Sequence, residues 1–102
     1  MELLDYAEAI NERVEVKPIC ESLGIVDRWL ASFVGGEISE RGMLISEFGS
    51  ADDPDVALAE YATSISGKCL VFAAYGPGGR FEHQVPDNLI HTEGYRYEKE
   101  TQ

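Results

Sequence analysis

The chain has 102 residues, and its 8 basic and 19 acidic residues give a formal net charge of −11. This length predicts one domain spanning residues 1–102, and the hydrophobic content of 44% excludes a disordered chain. Nucleic acids and anionic membranes carry negative charge themselves. The composition therefore disfavours both as direct partners. It would attract a basic protein surface, and it would equally keep a small protein soluble.

The sequence carries no recognisable targeting signal. Residues 1–5 lack the basic and apolar regions of a signal peptide. No run of the sequence approaches the roughly 20 apolar residues that a membrane-spanning helix needs. We therefore expect a cytoplasmic protein.

The first predicted element is an amphipathic helix over residues 2–15. Its apolar residues recur at spacings of 4, 3 and 4, which is the period of one helix face: Leu3, Ala7, Ile10 and Val14. Lys17-Pro18 ends this helix, because a residue before proline avoids the α conformation. Proline also suits the first turn of a helix, so residues 18–23 form a candidate short second helix.

A longer helix is predicted to begin at Asp53-Pro54, where the local signals are strongest. Asp53 is a typical N-cap residue, and Pro54 suits the first helical position. An apolar stripe follows, and Gly67 lies where a glycine commonly ends a helix.

Two hairpins are predicted, one on each side of that helix. Residues 26–34 and 43–48 have the alternation of paired strands, and so do the apolar run 70–74 and residues 80–85. A polar tail begins at about residue 93. The element order α-(α)-β-β-α-β-β predicts an α+β fold, with a small antiparallel sheet of about four strands and helices on one face.

Four carboxylates on the first predicted helix form the sharpest candidate site. Their spacings of 3, 4 and 3 place them on one helix face, nearly opposite the apolar face: Asp5, Glu8, Glu12 and Glu15. Like charges at these spacings weaken a helix slightly, so local stability does not call for them. One interpretation is a stripe that binds a basic surface as a nucleic-acid mimic would. The other is a solvated face on an acidic protein.

A second acidic cluster, Asp52, Asp53 and Asp55, lies at the start of the longer helix. We include these three residues among the candidate partner-binding residues. A helix N-terminus also explains them without a partner, because its free N–H groups and dipole favour carboxylates. Calcium binding is a further alternative, but the spacing of an EF-hand loop is absent.

Residues that could carry catalysis or hold a metal are few. His83 and His91 lack the i,i+4 spacing, the neighbouring cysteines and the third histidine that zinc sites use. Cys20 and Cys69 have apolar neighbours and predict two buried side chains, with a disulfide or a reactive thiol as the alternative. Hydrolase and phosphate-binding motifs are absent as well. We therefore predict no enzyme activity, no metal and no cofactor.

A string in the second half of the chain carries a family resemblance. It consists of Gly49-Ser50-Ala51-Asp52-Asp53-Pro54, Ala57-Leu58-Ala59-Glu60-Tyr61-Ala62, Ile65-Ser66-Gly67-Lys68 and Leu70-Val71-Phe72. It resembles small proteins encoded in bacteriophage early regions, which carry a similar GK-LVF strand after a short helix. The resemblance implies a phage or prophage accessory gene, a setting in which small acidic proteins such as anti-CRISPR proteins act against host defences. The resemblance identifies no functional residue in this chain.

These observations predict a non-enzymatic interaction protein of phage origin that inhibits a host nucleic-acid-binding protein by occupying its basic surface. A first alternative is a sheet-edge module that pairs with a cognate protein, or with itself as a homodimer, through residues 75–85 or the tail. Residues 29–48 are similar to HicB-type antitoxins in their order of elements, which fits that alternative. A second alternative is a small-molecule-binding protein with a pocket near His83.

Overall fold

The computed structural model describes residues 1–20, 26–73 and 80–92 of the chain. Its elements are, in chain order, α1 (Leu3–Ala9), β1 (Val14–Cys20), β2 (Val26–Phe33), β3 (Gly36–Glu40), β4 (Met43–Ile45), β5 (Gly49–Ala51), α2 (Pro54–Ile65), β6 (Cys69–Phe72) and β7 (Phe81–Gln84). All pairings between these strands are antiparallel. The predicted α+β class is confirmed.

The strands form two sheets, where we expected one sheet of about four strands. The first sheet has the order β1-β2-β5 and the second has the order β4-β3-β6-β7. The chain leaves the first sheet at Gly35, whose positive φ of 76° turns it into β3. β3 then pairs with β4 and β6, while β2 pairs with β1 and β5.

The first helix is shorter than the predicted range of 2–15. It ends at Ala9, and Asn11, with a φ of 59°, turns the chain towards β1. Val14 and Val16 both pack against the core from β1. Val14 therefore belongs to a pattern of period two, although its spacing also fitted the helical period of the preceding residues.

Two other predicted elements are corrected. The short helix over residues 18–23 is wrong at 18–20, which belong to β1, and its remaining residues lie outside the described part of the chain. Pro18 is accommodated because β1 is an edge strand, where a missing N–H interrupts no central ladder. Of the predicted strand 43–48, only residues 43–45 are a strand, and they pair with β3.

The longer helix and the second hairpin are confirmed. Asp53 precedes α2 as its N-cap, and Gly67 follows it with a positive φ of 74°. β6 pairs with β7 so that Phe72 lies opposite Phe81. The turn residues 74–79 and the polar tail from residue 93 lie outside the described residues. Within the part of the chain that the structure describes, neither helix has the length and apolar character needed to cross a membrane.

The core lies where α2 packs on the first sheet and the second sheet meets them. Phe33 is central to it, because its ring centroid lies 5.6–6.2 Å from the rings of Tyr6, Tyr61 and Phe72. The side of α2 that faces the first sheet carries the buried residues of the helix: Ala57, Leu58, Tyr61, Ala62 and Ile65. The opposite side of α2 therefore remains available for other contacts.

Candidate functional site

The four carboxylates of the predicted stripe do not share a helix face. Asp5 and Glu8 lie exposed on α1, whereas Glu12 follows the helix and Glu15 belongs to β1. The single stripe is therefore wrong, because the helix ends before its second half. The Glu15 carboxylate also lies 3.4 Å from the ammonium group of Lys17, so a cation already compensates part of its charge.

The three aspartates at the start of α2 all have contacts within the chain. One oxygen of Asp53 accepts hydrogen bonds from the backbone N–H groups of Asp55 (2.8 Å) and Val56 (3.4 Å). This confirms the interpretation of Asp53 as a helix cap. Asp52 is 89% exposed, and its carboxylate lies 3.8 Å from the guanidinium of Arg28. Local structure thus explains much of this cluster, and its role in partner binding stays a prediction.

Asp55 belongs to a polar cluster around the buried side chain of His91, which sequence analysis did not identify. The side chain of His91 is 2% exposed, and its Nε2 lies 2.9 Å from Oδ1 of Asp55. Its Nδ1 lies 4.0 Å from Oε1 of Glu2 and has no hydrogen-bond partner among the described residues. Glu2 accepts a 2.8 Å hydrogen bond from the Thr92 hydroxyl. We call Glu2, Asp55, His91 and Thr92 the His91 cluster.

The His91 cluster holds three separate parts of the chain together. Backbone hydrogen bonds reinforce it, since the Leu3 N–H donates to the Ile90 carbonyl (2.6 Å) and the Ile90 N–H donates to the Met1 carbonyl (2.9 Å). No motif spacing connects its members in the sequence, so only the tertiary structure reveals it. Among the described residues, no three His, Cys, Asp or Glu side chains are placed to hold a metal ion. The His91 cluster therefore has a structural role, because its contacts join Glu2, the start of α2 and residues 91–92.

A shallow groove runs along the outer face of α2 from the His91 cluster towards the end of the helix. We call it the α2 groove and define it by Val56, Ala59, Glu60, Thr63 and Ser64. Val56 and Ala59 form its apolar part, and the Val56 side chain is 49% exposed. At the far end, the Ser64 hydroxyl donates a hydrogen bond to the Glu47 carboxylate.

The charges around the α2 groove have one sign. Glu60 is exposed at its centre, Asp55 lies at one end and Glu47 at the other. No lysine or arginine is among the described residues that line it. Lys17 and Arg28 lie on the opposite side of the first sheet, because strand alternation separates them from the residues that face α2.

Apolar side chains are exposed at both edges of the second sheet. Met43 and Ile45 lie on one face of β4 and are 65% and 37% exposed, and Phe81 on β7 is 61% exposed. Such edge strands are able to pair with a strand from another chain. His83, also on β7, lies edge-on to Phe72 at 5.8 Å, which gives it a packing contact.

Tyr6 and Tyr61, two described residues with a raised pKa, belong to the core. Burial raises the pKa of Tyr61 to about 12; the hydrogen bond from Phe33 opposes this effect and the charge of Glu47 adds to it. Burial, with a smaller contribution from Cys69, also raises the pKa of Tyr6. Raised tyrosine pKa values in a packed core reflect desolvation, so they do not indicate a catalytic site here.

Comparison of the chain with protein-family models, with curated proteins and with solved structures gives no match.

Proposed function

We propose that the chain is an acidic, non-enzymatic interaction protein that binds the basic, nucleic-acid-binding surface of another protein. The observation that carries the proposal is a net charge of −11 on a folded α+β domain in which no described charged residue is buried. Such a surface field attracts a basic partner and raises its association rate. Proteins that bind nucleic acid present large basic surfaces of this kind.

Several exposed carboxylates have no basic partner among the described residues. Asp5 and Glu8 lie one turn apart on α1, and none of the described lysines or arginines pairs with them. Like charges at this spacing weaken a helix by a few tenths of a kcal/mol, and only Asp5, in the first turn of α1, lies at the helix end that favours a carboxylate. Glu60 on α2 is likewise exposed. Binding of a cationic partner gives these residues a function.

The proposed setting is the cytoplasm of a bacterium that carries a phage or prophage, with a host defence protein as the partner. The resemblance of residues 49–72 to phage early-region proteins supports this part of the proposal. The charge argument is independent of it, because a basic partner of any origin would fit.

The proposal is tested by capture of a partner from bacterial lysate, followed by binding measurements with that partner in purified form. Exposed ionic contacts are screened over about 8–10 Å at ordinary ionic strength, so we expect affinity to fall steeply as salt is added. We also expect the protein and nucleic acid to compete for the partner. A partner that stays bound at high salt, or that binds nucleic acid at the same time, would contradict the proposal.

Paired variants provide the control. Asp5→Asn/Glu8→Gln and Glu37→Gln/Glu40→Gln each remove two negative charges, from α1 and from β3 respectively. Equal losses of affinity would indicate that only the net charge attracts the partner. A larger loss for one pair would show which surface is in contact.

A second candidate function is pairing through a sheet edge, with itself or with a cognate protein. The exposed Met43, Ile45 and Phe81 on the edge strands β4 and β7 favour it. This mode depends on backbone hydrogen bonds and apolar contacts, so it is much less sensitive to salt. Sedimentation of the purified protein over a range of concentrations, with Met43→Ser and Phe81→Ser variants, would detect self-association of this kind.

A further inference from the structure

We infer that the α2 groove is the docking surface for a cationic amphipathic segment of the partner protein. Apolar side chains of that segment would lie against Val56 and Ala59, and its lysine or arginine side chains would meet Glu60 and the carboxylates at the two ends of the groove. The inference rests on the proposed function, and it adds the location of the contact and the chemistry of the bound segment.

The shape of the groove suits an elongated segment. Val56, Ala59, Glu60 and Thr63 follow one another at the i,i+3 and i,i+4 spacings of a single helix face, and that face is opposite the buried side of α2. An aliphatic side chain near the start of this face, Val56, is 49% exposed. Helical segments commonly bind in such grooves through apolar residues at the same spacings.

Charge complementarity selects a basic occupant. The carboxylates of Asp55, Glu60 and Glu47 are distributed from one end of the α2 groove to the other, and its described lining residues include no cation. Lys17 and Arg28 alternate to the face of the first sheet that is turned away from α2, and Arg28 pairs with Asp52 before the helix begins. An acidic segment would bring like charge against the exposed Glu60, and a neutral apolar segment would desolvate that carboxylate without compensating its charge.

The groove is held in place before any partner binds. Asp53 caps the start of α2, the Asp55–His91 contact fixes its first turn, and the Ser64–Glu47 hydrogen bond fixes its last turn. A surface that needs no ordering on binding loses less conformational entropy. By contrast, Asp5 and Glu8 on α1 are exposed charges without an adjoining described apolar groove.

The experiment uses the full chain labelled with ¹⁵N and two synthetic peptides of identical composition. One peptide arranges leucines and lysines so that a helix would have one apolar face, and the other contains the same residues in scrambled order. We expect saturable amide shifts at Val56, Ala59, Glu60 and Thr63 with the patterned peptide. We also expect at least about tenfold weaker binding of the scrambled one.

Matched variants separate the α2 groove from the rest of the acidic surface. Glu60→Lys and Glu40→Lys make the same change of charge on α2 and on β3, and Val56→Gln and Met43→Gln each remove an exposed apolar side chain. The inference predicts that only the α2 variants lower the affinity for the patterned peptide, by about tenfold or more. Circular dichroism of all four variants checks that the fold is retained.

Other outcomes overturn the inference in distinguishable ways. Shifts confined to Asp5 and Glu8, or equal binding of both peptides, would reject the groove while leaving the acidic interaction protein intact. Absence of binding by either peptide and by any basic protein would reject both proposals. Self-association that Val56→Gln abolishes would assign the groove to a second copy. Shifts of residues 93–102 in free Val56→Gln would assign it to the chain's own tail.

Discussion

The Tyr61 hydroxyl oxygen accepts a 3.0 Å hydrogen bond from the backbone N–H of Phe33. This bond connects α2 to the last residue of β2, and both side chains are at most 2% exposed. The ring of Phe33 also contacts Tyr6 and Phe72 from α1 and β6. The pair therefore holds α2, which carries the α2 groove, in register with the sheet beneath it.

Substitution of Tyr61 by phenylalanine tests this connection. The ring would still fill its place in the core, but the buried N–H of Phe33 would lose its acceptor. Leaving a buried donor unsatisfied costs about 1–3 kcal/mol, so we expect the free energy of unfolding of Tyr61→Phe to fall by that amount. Urea unfolding measures it, with an unchanged m-value expected. A loss below about 0.5 kcal/mol would show that water replaces the hydroxyl.

The raised pKa of Tyr61 leads us to expect a loss of folding stability at alkaline pH. The Tyr61 pKa is raised from 10.0 to about 12 in the folded protein, so the folded state holds this proton more tightly than the unfolded state does. The stabilisation is complete below pH 10 and is lost as the pH rises towards 12. Because each pKa unit corresponds to about 1.4 kcal/mol, the loss amounts to roughly 2–3 kcal/mol.

The Tyr61→Phe variant is the control for this pH dependence. Its stability should decline less than that of the unmodified protein between pH 10 and 12. A residual decline is expected, since burial also raises the pKa of Tyr6 and that group remains in the variant. Unfolding curves recorded at several pH values in this range give the change of the unfolding free energy with pH for both proteins. Parallel declines in the two proteins would contradict the assignment to Tyr61.

The fold was predictable where the signals are local. Asp53, Pro54 and Gly67 place both ends of α2, because capping and glycine conformations depend only on neighbouring residues. The end of α1 was not predictable in this way. Val14 satisfies a helical spacing and a strand alternation equally well, and its pairing with Phe33 across the sheet decides between them.

The candidate sites are formed by contacts between residues that lie far apart in the sequence, so they were harder to predict than the helix ends. The division into two sheets follows from β3 pairing with β6, which are separated by all of α2. The His91 cluster likewise joins Glu2 to Thr92, 90 residues away. The predicted acidic stripe failed for the same reason, because a strand replaced the second half of its helix. The net charge needs no tertiary information, so the proposed attraction of a basic partner does not depend on the acidic stripe.

The helix cap provides a comparison between two adjacent aspartates. Asp53→Ala removes the acceptor for the N–H groups of Asp55 and Val56, and we expect a loss of about 1 kcal/mol. Asp52→Ala removes the same charge beside the same helix end, but its only described contact is the 3.8 Å ion pair with Arg28. That exposed contact is worth little, so the variant should lose well under 1 kcal/mol. Thermal unfolding of both variants gives the ranking.

The Asp55–His91 contact is tested by a double-mutant cycle. The His91 side chain is 2% exposed and that of Asp55 is 34% exposed, and the Nε2–Oδ1 distance is 2.9 Å. We expect a coupling energy of about 0.5–3 kcal/mol from the Asp55→Ala and His91→Ala variants and their combination. The exposed Arg80–Glu82 pair, at 2.7 Å, is the matched control and should show less than about 1 kcal/mol. Equal coupling energies in the two pairs would show that the Asp55–His91 contact stabilises the fold no more than an exposed ion pair does.

Gly49 is the position at which the contact between α2 and the first sheet leaves least room. A Cβ there would overlap the carbonyl oxygen of Ala57 and lie 2.6 Å from the backbone nitrogen of Tyr61. Both obstacles are helix backbone, so α2 itself would have to move. We expect Gly49→Ala to cost more than about 3 kcal/mol, beyond the usual range for an overpacked core.

Alanine substitutions at two other glycines, Gly35 and Gly36, provide a comparison for that prediction. At Gly36 the nearest obstacle is the Cβ of Phe33 at 2.9 Å, and the next is a ring atom of Phe72 at 3.1 Å, so both obstacles are side chains and not helix backbone. At Gly35 nothing lies within 4 Å, and only the φ of +76° opposes a side chain, which costs roughly 1–2 kcal/mol. Alanine at Gly49 should therefore be the most destabilising of the three in urea unfolding. If Gly49→Ala is tolerated as well as Gly35→Ala, α2 does not pack against β5 as closely as described, and the position of the α2 groove would have to be revised with it.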